Sequence, residues 1–236
     1  MRFAEAIKAR KIPGHVKPRF LFRLPHVMFA DYRARRNLSN ELGQASKRAH
    51  DRFIVKATNT IFRSYNDCLQ EYVLKYMPET VKACWEFDRF GIMLVSDGMM
   101  KASYAASARR NGEKVSKSMQ RSVNGLYSPT DDMIYVKEGT FPFAPTYEKY
   151  CWQNVEDICG HEVGHYVDEI FDYPSIDDEL FLEAYRTERY RVDSYSGTDN
   201  REYFATTCWI CRRYPRIAQT YLPQTYHFFK VMFNYE

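Results

Sequence analysis

The sequence predicts an α+β fold that is rich in helix and contains a small β-sheet. Two stretches, 41–78 and 149–171, repeat apolar residues every three or four positions, which is the period of an amphipathic helix. Two shorter apolar stretches, 90–96 and 125–137, are bounded by Gly, Pro, Asp and Ser, which is typical of strands joined by turns. A chain of 236 residues is long enough for one domain with a sizeable core.

The first half of the chain predicts helices followed by a strand. Residues 41–78 are expected to form one or two helices that end at Met77-Pro78. Their apolar positions are Phe53, Ile54, Ala57, Ile61, Tyr65, Leu69, Tyr72 and Val73. Residues 90–96 predict a buried strand that Asp97-Gly98 closes. Residues 100–120 are polar, basic and small, which predicts a surface loop or a short helix.

The middle of the chain predicts a β-hairpin. Gly125–Tyr127 and Met133–Lys137 would be its strands, and the segment between them contains Ser, Pro, Thr and two Asp residues. Residues 139–148 contain two prolines and predict an irregular crossing into the helix at 149–171. Pro174 ends that segment, and further helices are expected at 177–191 and from about residue 224 onwards.

The run His161-Glu162-Val163-Gly164-His165 lies inside the predicted helix at 149–171. Histidines at i and i+4 lie on one face of a helix, one turn apart, so both imidazoles can reach a single metal ion. Glu162 would then lie beside the open position of the metal, where it can take a proton from water without being a ligand. The pattern predicts a zinc site on this helix.

A catalytic zinc site needs a third protein ligand, because water occupies the fourth position. The only histidine after His165 is His227, far along the chain, and Glu202 is the better candidate. Glu202 follows a turn-like Ser-Gly-Thr-Asp-Asn segment and would lie in the first turn of a second helix. The N-cap of that helix would be one of Thr198, Asp199 and Asn200. The competing third ligands are Glu183 and Glu188.

The segments HE-x-GH-x-VD, SY and NxEYFA resemble the zinc metalloprotease domain of anthrax lethal factor and its smaller relatives, including the Pro-Pro endopeptidases. The resemblance covers roughly residues 155–236. It implies that His161, His165 and Glu202 bind one zinc ion, that Glu162 is the general base, and that Tyr195, seven residues before Glu202, faces the metal. It also implies a zincin-like (gluzincin) fold in which a small sheet lies above the zinc helix. The strand before that helix would offer an edge to an extended substrate.

Several positions leave alternatives open. Thr206 stands where the family often has a second acid, so a hydrogen bond to a metal ligand would be missing or supplied by another residue. Tyr195 is one of nineteen tyrosines and could serve packing alone. Asp168, three residues after His165, would either orient a ligand or lie on the surface.

The net charge of +4 is unevenly distributed along the chain. Residues 1–50 contain twelve Lys and Arg but only three acidic residues, a balance of +9 that leaves −5 for the remainder. We therefore expect residues 1–40 to form a basic extension, either packed on the core or binding an anionic partner, and residues 41–236 to form the zinc metallopeptidase domain.

The N-terminal residues lack the apolar stretch of a secretory signal, and no segment approaches the roughly 18 apolar residues of a membrane span. We expect a cytoplasmic protein, or one delivered by a non-classical route. The six cysteines show no disulfide spacing and are expected to be reduced thiols. Cys208 and Cys211 form a single CxxC without a second pair, which favours buried packing over a structural zinc site.

Together these patterns predict a zinc-dependent endopeptidase that hydrolyses peptide bonds of a protein substrate, and the family resemblance implies a toxin or effector. The alternative is a catalytically silent zinc-containing protein with a regulatory role, or a nucleic-acid-binding protein that uses the basic N-terminal arm. A closed structural zinc site needs a fourth protein ligand, and none is evident near the motif. The presence of Glu162 and Tyr195 favours turnover.

Overall fold

The computed structural model describes residues 25–58, 65–112, 123–137, 155–193, 195–197 and 199–234. Its elements, in chain order, are α1 (Pro25–Thr58), α2 (Tyr65–Leu74), α3 (Glu79–Asp88), β1 (Gly91–Val95), α4 (Asp97–Arg110), β2 (Gly125–Ser128), β3 (Met133–Lys137), α5 (Val155–Ile170), α6 (Pro174–Asp177), α7 (Glu179–Glu188), a 3₁₀ turn (Arg189–Arg191), α8 (Asn200–Arg213), α9 (Pro215–Tyr221) and α10 (Pro223–Met232). The prediction of a helix-rich α+β fold with a small sheet is confirmed.

The three described strands form one sheet in the order β1-β3-β2. β1 runs parallel to β3, whereas β2 and β3 form the predicted antiparallel hairpin. Ile134 and Val136 of β3 are fully buried, because this central strand packs between its neighbours and against α5. The strand that directly precedes α5 among the described residues is therefore central, and β2 is the edge strand that contacts α5.

Helix α1 begins at Pro25 and continues without a break across residue 40. Leu38 and Leu42 are both buried in the core, and Asp31 pairs with Arg191 at 3.3 Å. The described part of the predicted basic extension thus packs against the folded domain, while residues 1–24 lie outside the described residues.

The other helical predictions have mixed outcomes. The stretch at 41–78 contains the end of α1 and all of α2, and residues 59–64 between them lie outside the description. Pro78 does not only end a helix: it directly precedes α3, which the sequence did not predict. The polar stretch at 100–120 begins as α4, whose N-cap Ser96 accepts a hydrogen bond from the backbone of Met99. The crossing at 139–148 lies outside the described residues.

The helix pair α5 and α8 forms the centre of the core. Gly160 and Gly164 lie one turn apart on the face of α5 that α8 crosses. A Cβ on Gly164 would lie 2.5 Å from the backbone oxygen of Ala205, and a Cβ on Gly160 would lie 2.1 Å from the Trp209 ring. Only glycine allows the two helices to come this close, which brings the first turn of α8 next to the histidines of α5.

The C-terminal helices cover this pair from one side. The helix predicted at 177–191 is observed as α7 and the 3₁₀ turn, and the short helix α6 precedes it. The buried carboxylate of Glu188 at the end of α7 accepts hydrogen bonds from the backbone of Gln224 and Thr225, so it caps α10. Within the described ranges, no helix combines the length and the apolar character needed to cross a membrane.

Candidate metal centre

The two histidines of α5 point to the same place. The Nε2 atoms of His161 and His165 are 3.1 Å apart, as expected for residues one turn apart on a helix, and their rings lie nearly perpendicular. His161 is buried, while His165 lies partly open to the surface. The helix thus fixes two imidazole donors before any ligand from another element is added.

Glu202 supplies the third group. Asp199, one of the three predicted N-caps, accepts hydrogen bonds from the backbone of Arg201 and Glu202, so Glu202 lies in the first turn of α8. Its Oε2 atom lies 3.1 Å from His161 Nε2 and 3.6 Å from His165 Nε2. The ligand atoms of these three residues all lie within 4.8 Å of one another, the one such group found among the described residues.

The competing third ligands lie elsewhere. Glu183 is exposed on α7 and pairs with Arg186 at 2.7 Å. Glu188 is occupied by the N-terminus of α10 and by Arg191. His227 belongs to α10 and is not part of the cluster. Of the acids considered from the sequence, only Glu202 approaches both histidines.

The donor set and its spacing suit a zinc ion. Histidine nitrogen and carboxylate oxygen are common zinc ligands, and donors about 2.1 Å from a tetrahedral zinc ion lie about 3.4 Å from one another. The three separations here, 3.1, 3.1 and 3.6 Å, bracket that value. Glu202 Oε2 is also buried without a hydrogen bond of normal geometry, which is costly for an oxygen that has no further partner. A bound cation would satisfy it.

The charges of the cluster reinforce one another. Burial acts to raise the pKa of Glu202, but the adjacent His161 and His165 outweigh it and hold this pKa well below its ordinary value. Burial acts to lower the pKa of His165, but Glu202 and then Glu162 outweigh it and raise this pKa. The Glu202 carboxylate is thus held ionised, which is the form that binds a metal.

Glu162 lies beside the cluster on the side of the sheet. Its side chain is buried, and it accepts a hydrogen bond from the backbone N–H of Tyr127 on β2. Burial raises the pKa of Glu162 above its ordinary value, the two histidines oppose this shift, and Glu202 adds to it. A carboxylate whose proton affinity is raised in this way is suited to accepting a proton and releasing it again.

Tyr195 lies on the open side of the cluster. The residue is 60% exposed, yet its hydroxyl faces the Glu202 carboxylate, and Glu162 and Tyr104 of α4 are near enough to interact with it. Burial of the hydroxyl end, followed by the charge of Glu202, raises the pKa of Tyr195 above its ordinary value. The phenol therefore stays protonated and remains a hydrogen-bond donor at the edge of the site.

Thr206 lies next to His161 Nδ1, and it occupies the position at which the family resemblance led us to expect a second acid. Its Oγ1 atom lies 3.2 Å from His161 Nδ1 and 2.7 Å from Ser196 Oγ, and Ser196 in turn donates to Asp193 at 2.7 Å. Sequence reasoning did not identify Ser196 or Asp193. A sequence signal was present: Asp193 lies three residues before Ser196, and Gly197 follows, which is typical of a turn stabilised by an aspartate side chain.

Asp168 is neither a surface residue nor a hydrogen-bond partner of His161 or His165. It is fully buried, and its two oxygens accept hydrogen bonds from the backbone and the hydroxyl of Ser175 at the start of α6. Arg201 of α8 approaches the same carboxylate at 3.8 Å. Asp168 therefore connects the end of α5 to α8, the helix that carries Glu202.

The buried cysteines of α5 and α8 do not join the cluster. Cys159, Cys208 and Cys211 are free thiols, and burial raises the pKa of each above its ordinary value. A protonated thiol in an apolar environment is a poor metal ligand. Packing in the core explains the CxxC pair.

Comparisons of the chain with protein-family models, with curated proteins and with solved structures gave no significant match. The geometry brings together the five residues that the sequence singled out, namely His161, Glu162, His165, Tyr195 and Glu202.

Proposed function

We propose that the protein is a zinc-dependent endopeptidase of the lethal factor-like type, with a zincin-like arrangement of sheet and helix. One observation carries the proposal. Two histidines and a glutamate converge from two helices, and a second carboxylate and a phenol border the same point without joining the ligand set. A structural zinc site has four protein ligands, whereas three ligands beside an acid–base group are typical of catalysis.

Each residue of the site would have a separate role in peptide hydrolysis. His161, His165 and Glu202 would hold one zinc ion, which would polarise the scissile carbonyl and lower the pKa of a water molecule to about 7. Glu162 accepts a proton from that water as its oxygen attacks the carbonyl carbon. When the carbon–nitrogen bond breaks, Glu162 passes this proton to the departing amine. The products are a carboxylate and a free amine.

In this scheme, Tyr195 stabilises the carbonyl oxygen of the scissile bond. Negative charge develops on that oxygen as water attacks, and a phenol hydroxyl can donate a hydrogen bond to it. The exposed position of Tyr195 leaves its ring room to turn from Glu202 towards a substrate. Because the oxyanion exists only near the transition state, the phenol would contribute to turnover more than to substrate binding.

Among the described residues, no strand pairs with the outer edge of β2. Lys137 donates its backbone N–H to Asn124 at 2.9 Å, and the antiparallel alternation then directs the backbone groups of Gly125 and Tyr127 away from β3. The Tyr127 N–H already reaches Glu162, so this edge borders the acid–base group directly. We infer that the substrate backbone pairs along this edge, with its scissile bond facing Glu162.

Cleavage of an unbiased peptide library tests the proposal. The full-length protein loaded with zinc is expected to cleave a subset of peptides at internal bonds. A chelator should abolish cleavage, and added zinc should restore it. A zinc-loaded, folded protein that cleaves no peptide of the library and no protein of a denatured lysate would contradict the proposal and favour the silent zinc protein.

A further inference from the structure

The side chain of His161 is the start of a buried chain of hydrogen bonds that ends at a carboxylate. Thr206 Oγ1 lies 3.2 Å from His161 Nδ1, Ser196 Oγ lies 2.7 Å from Thr206 Oγ1, and Asp193 Oδ2 lies 2.7 Å from Ser196 Oγ. All four residues are buried. The three elements that contribute to the chain are α5, α8 and the turn before α8.

The carboxylate determines the direction of every hydrogen bond in this chain. An ionised aspartate only accepts, so the single hydroxyl proton of Ser196 goes to Asp193. Ser196 Oγ must then accept from Thr206, whose own proton is used in that bond. Thr206 Oγ1 is left as an acceptor, so a hydrogen bond between it and His161 requires a proton on His161 Nδ1.

A proton on Nδ1 leaves the lone pair of a neutral imidazole on Nε2. Nε2 is the atom of His161 that faces His165 and Glu202, at 3.1 Å from each ligand atom. The chain therefore favours the tautomer and the ring orientation that a metal ligand needs. Each bond also polarises the next, so the negative charge of Asp193 increases the basicity of Nε2 through two hydroxyls.

The turn that supplies the chain also carries Tyr195. Asp193 accepts from the backbone of Ser196 through Oδ1 and from the backbone of Gly197 through its own carbonyl oxygen. Tyr195 lies between these anchored positions, with its hydroxyl facing Glu202. Asp193 thus fixes both the orientation of His161 and the turn from which Tyr195 reaches the site.

We propose that Thr206, Ser196 and Asp193 form a hydroxyl relay that positions His161 as an Nε2 metal ligand. The negative charge that supports His161 is then located on Asp193, two hydroxyls away, instead of on an acid hydrogen-bonded directly to the imidazole. The relay rests on the proposed function only in that His161 is a zinc ligand. None of the three is a catalytic residue, because none contacts the reacting atoms; they are positioning residues.

The test compares Thr206→Val with a matched control on the same helix. Valine keeps the shape of threonine but cannot accept the His161 proton. Thr207→Val makes the same change at the next residue, whose hydroxyl donates to the backbone oxygen of Tyr203 and has no contact with the relay. Thr206→Ser restores the hydroxyl. Ser196→Ala breaks the chain one bond further away.

Two measurements on the full chain separate positioning from general packing. Zinc affinity, measured by competition with a chelator, is expected to fall roughly 10- to 100-fold in Thr206→Val, because loss of a hydrogen-bond partner of a ligand typically has this effect. Long-range ¹H–¹⁵N spectra of the zinc-loaded protein should show a His161 Nδ1 proton that exchanges slowly with water in the wild type and rapidly in Thr206→Val.

The remaining variants have defined expectations. Thr207→Val and Thr206→Ser should keep the wild-type affinity and the slow exchange of the His161 Nδ1 proton, whatever stability they lose. Ser196→Ala should lower the affinity, and adding it to Thr206→Val should cause little further loss, because the chain is already broken. Wild-type zinc affinity in Thr206→Val, or an equal loss in Thr207→Val, overturns the relay.

Failure of the relay and failure of the peptidase proposal give different results. The exchange of the His161 Nδ1 proton and the zinc affinity are measured without a substrate, so a protein that binds zinc but cleaves nothing can still show the relay. Conversely, an active peptidase in which Thr206→Val changes neither measurement retains its function and loses the relay.

Discussion

Glu202 Oε2 lies 3.1 Å from His161 Nε2, although the two residues belong to different helices. The contact exists because Gly160 and Gly164 allow α8 to cross α5 at very short range. It also exists because Asp199 begins α8 at the residue that places Glu202 in its first turn. The proposed metal ligand set is thus a product of how two helices pack.

Glu202→Gln is expected to lower zinc affinity by more than about 100-fold, which exceeds the usual effect of losing a hydrogen-bonding neighbour of a ligand. The amide removes the negative charge but keeps the size of the side chain. Metal content after dialysis, with one zinc per chain expected for the wild type, measures the effect. Glu183→Gln, an exposed acid that pairs with Arg186, is the control and should retain zinc. Full zinc content in Glu202→Gln would place the third ligand elsewhere.

Glu162→Gln is expected to keep the fold and the zinc but to lower kcat by about 10²–10⁴, the usual contribution of a positioned acid–base group. The amide retains the hydrogen-bond acceptor for Tyr127 but cannot take a proton. Glu169→Gln on the same helix, whose carboxylate accepts from the Tyr127 hydroxyl, is the matched control. Cleavage at the wild-type rate by the Glu162 variant would exclude its role as base.

Tyr195→Phe is expected to lower kcat by about 10²–10³ while changing KM and zinc affinity little, because the lost hydrogen bond forms mainly in the transition state. Steady-state kinetics on one cleaved peptide provide the measurement. Tyr190→Phe, also an exposed tyrosine, is the control. An unchanged kcat in Tyr195→Phe would indicate that Tyr195 contributes only to packing.

Asp157 is expected to make the metal-free protein less stable as the pH rises from about 4 to about 6. Burial raises the pKa of Asp157 to about 6, although Ser46 and Trp209 donate hydrogen bonds to it. Because this folded-state pKa lies above the unfolded value of 3.8, the folded protein binds more protons between these pH values, and stability is lost as the proton leaves. A shift of about two pH units corresponds to roughly 3 kcal/mol.

Urea unfolding of wild type and Asp157→Asn, followed across this pH range with a chelator present, provides the measurement. Asparagine can still accept from Trp209 and can donate to Ser46, so the variant should lack this pH dependence and should be the more stable protein above pH 6. Parallel stability curves for the two proteins would contradict the prediction.

Removal of residues 1–24 tests the role of the basic extension, because α1 begins at Pro25 and stays intact in the shortened chain. We expect cleavage of a short peptide to be unchanged and cleavage of a whole protein target to weaken, with the difference shrinking at high salt. Equal loss on both substrates would indicate that the segment supports the fold instead of an anionic partner.

The sequence alone predicted the features that depend on local periodicity. Side chains one turn apart on a helix meet wherever the helix lies, so the pairing of His161 with His165 follows from spacing. The hairpin and the start of α8 likewise follow from turn and cap residues whose effects reach only a few positions.

What the sequence could not decide depends on contacts between distant segments. The burial of Asp168 against Ser175, the identity of β2 as the edge beside Glu162, and the contacts that connect His161 to Asp193 all require elements to be brought together. No local period encodes these distances. They depend on how closely helices and strands pack, and in α5 and α8 the short approach is possible only because two glycines lack a Cβ where Trp209 and the Ala205 backbone meet them.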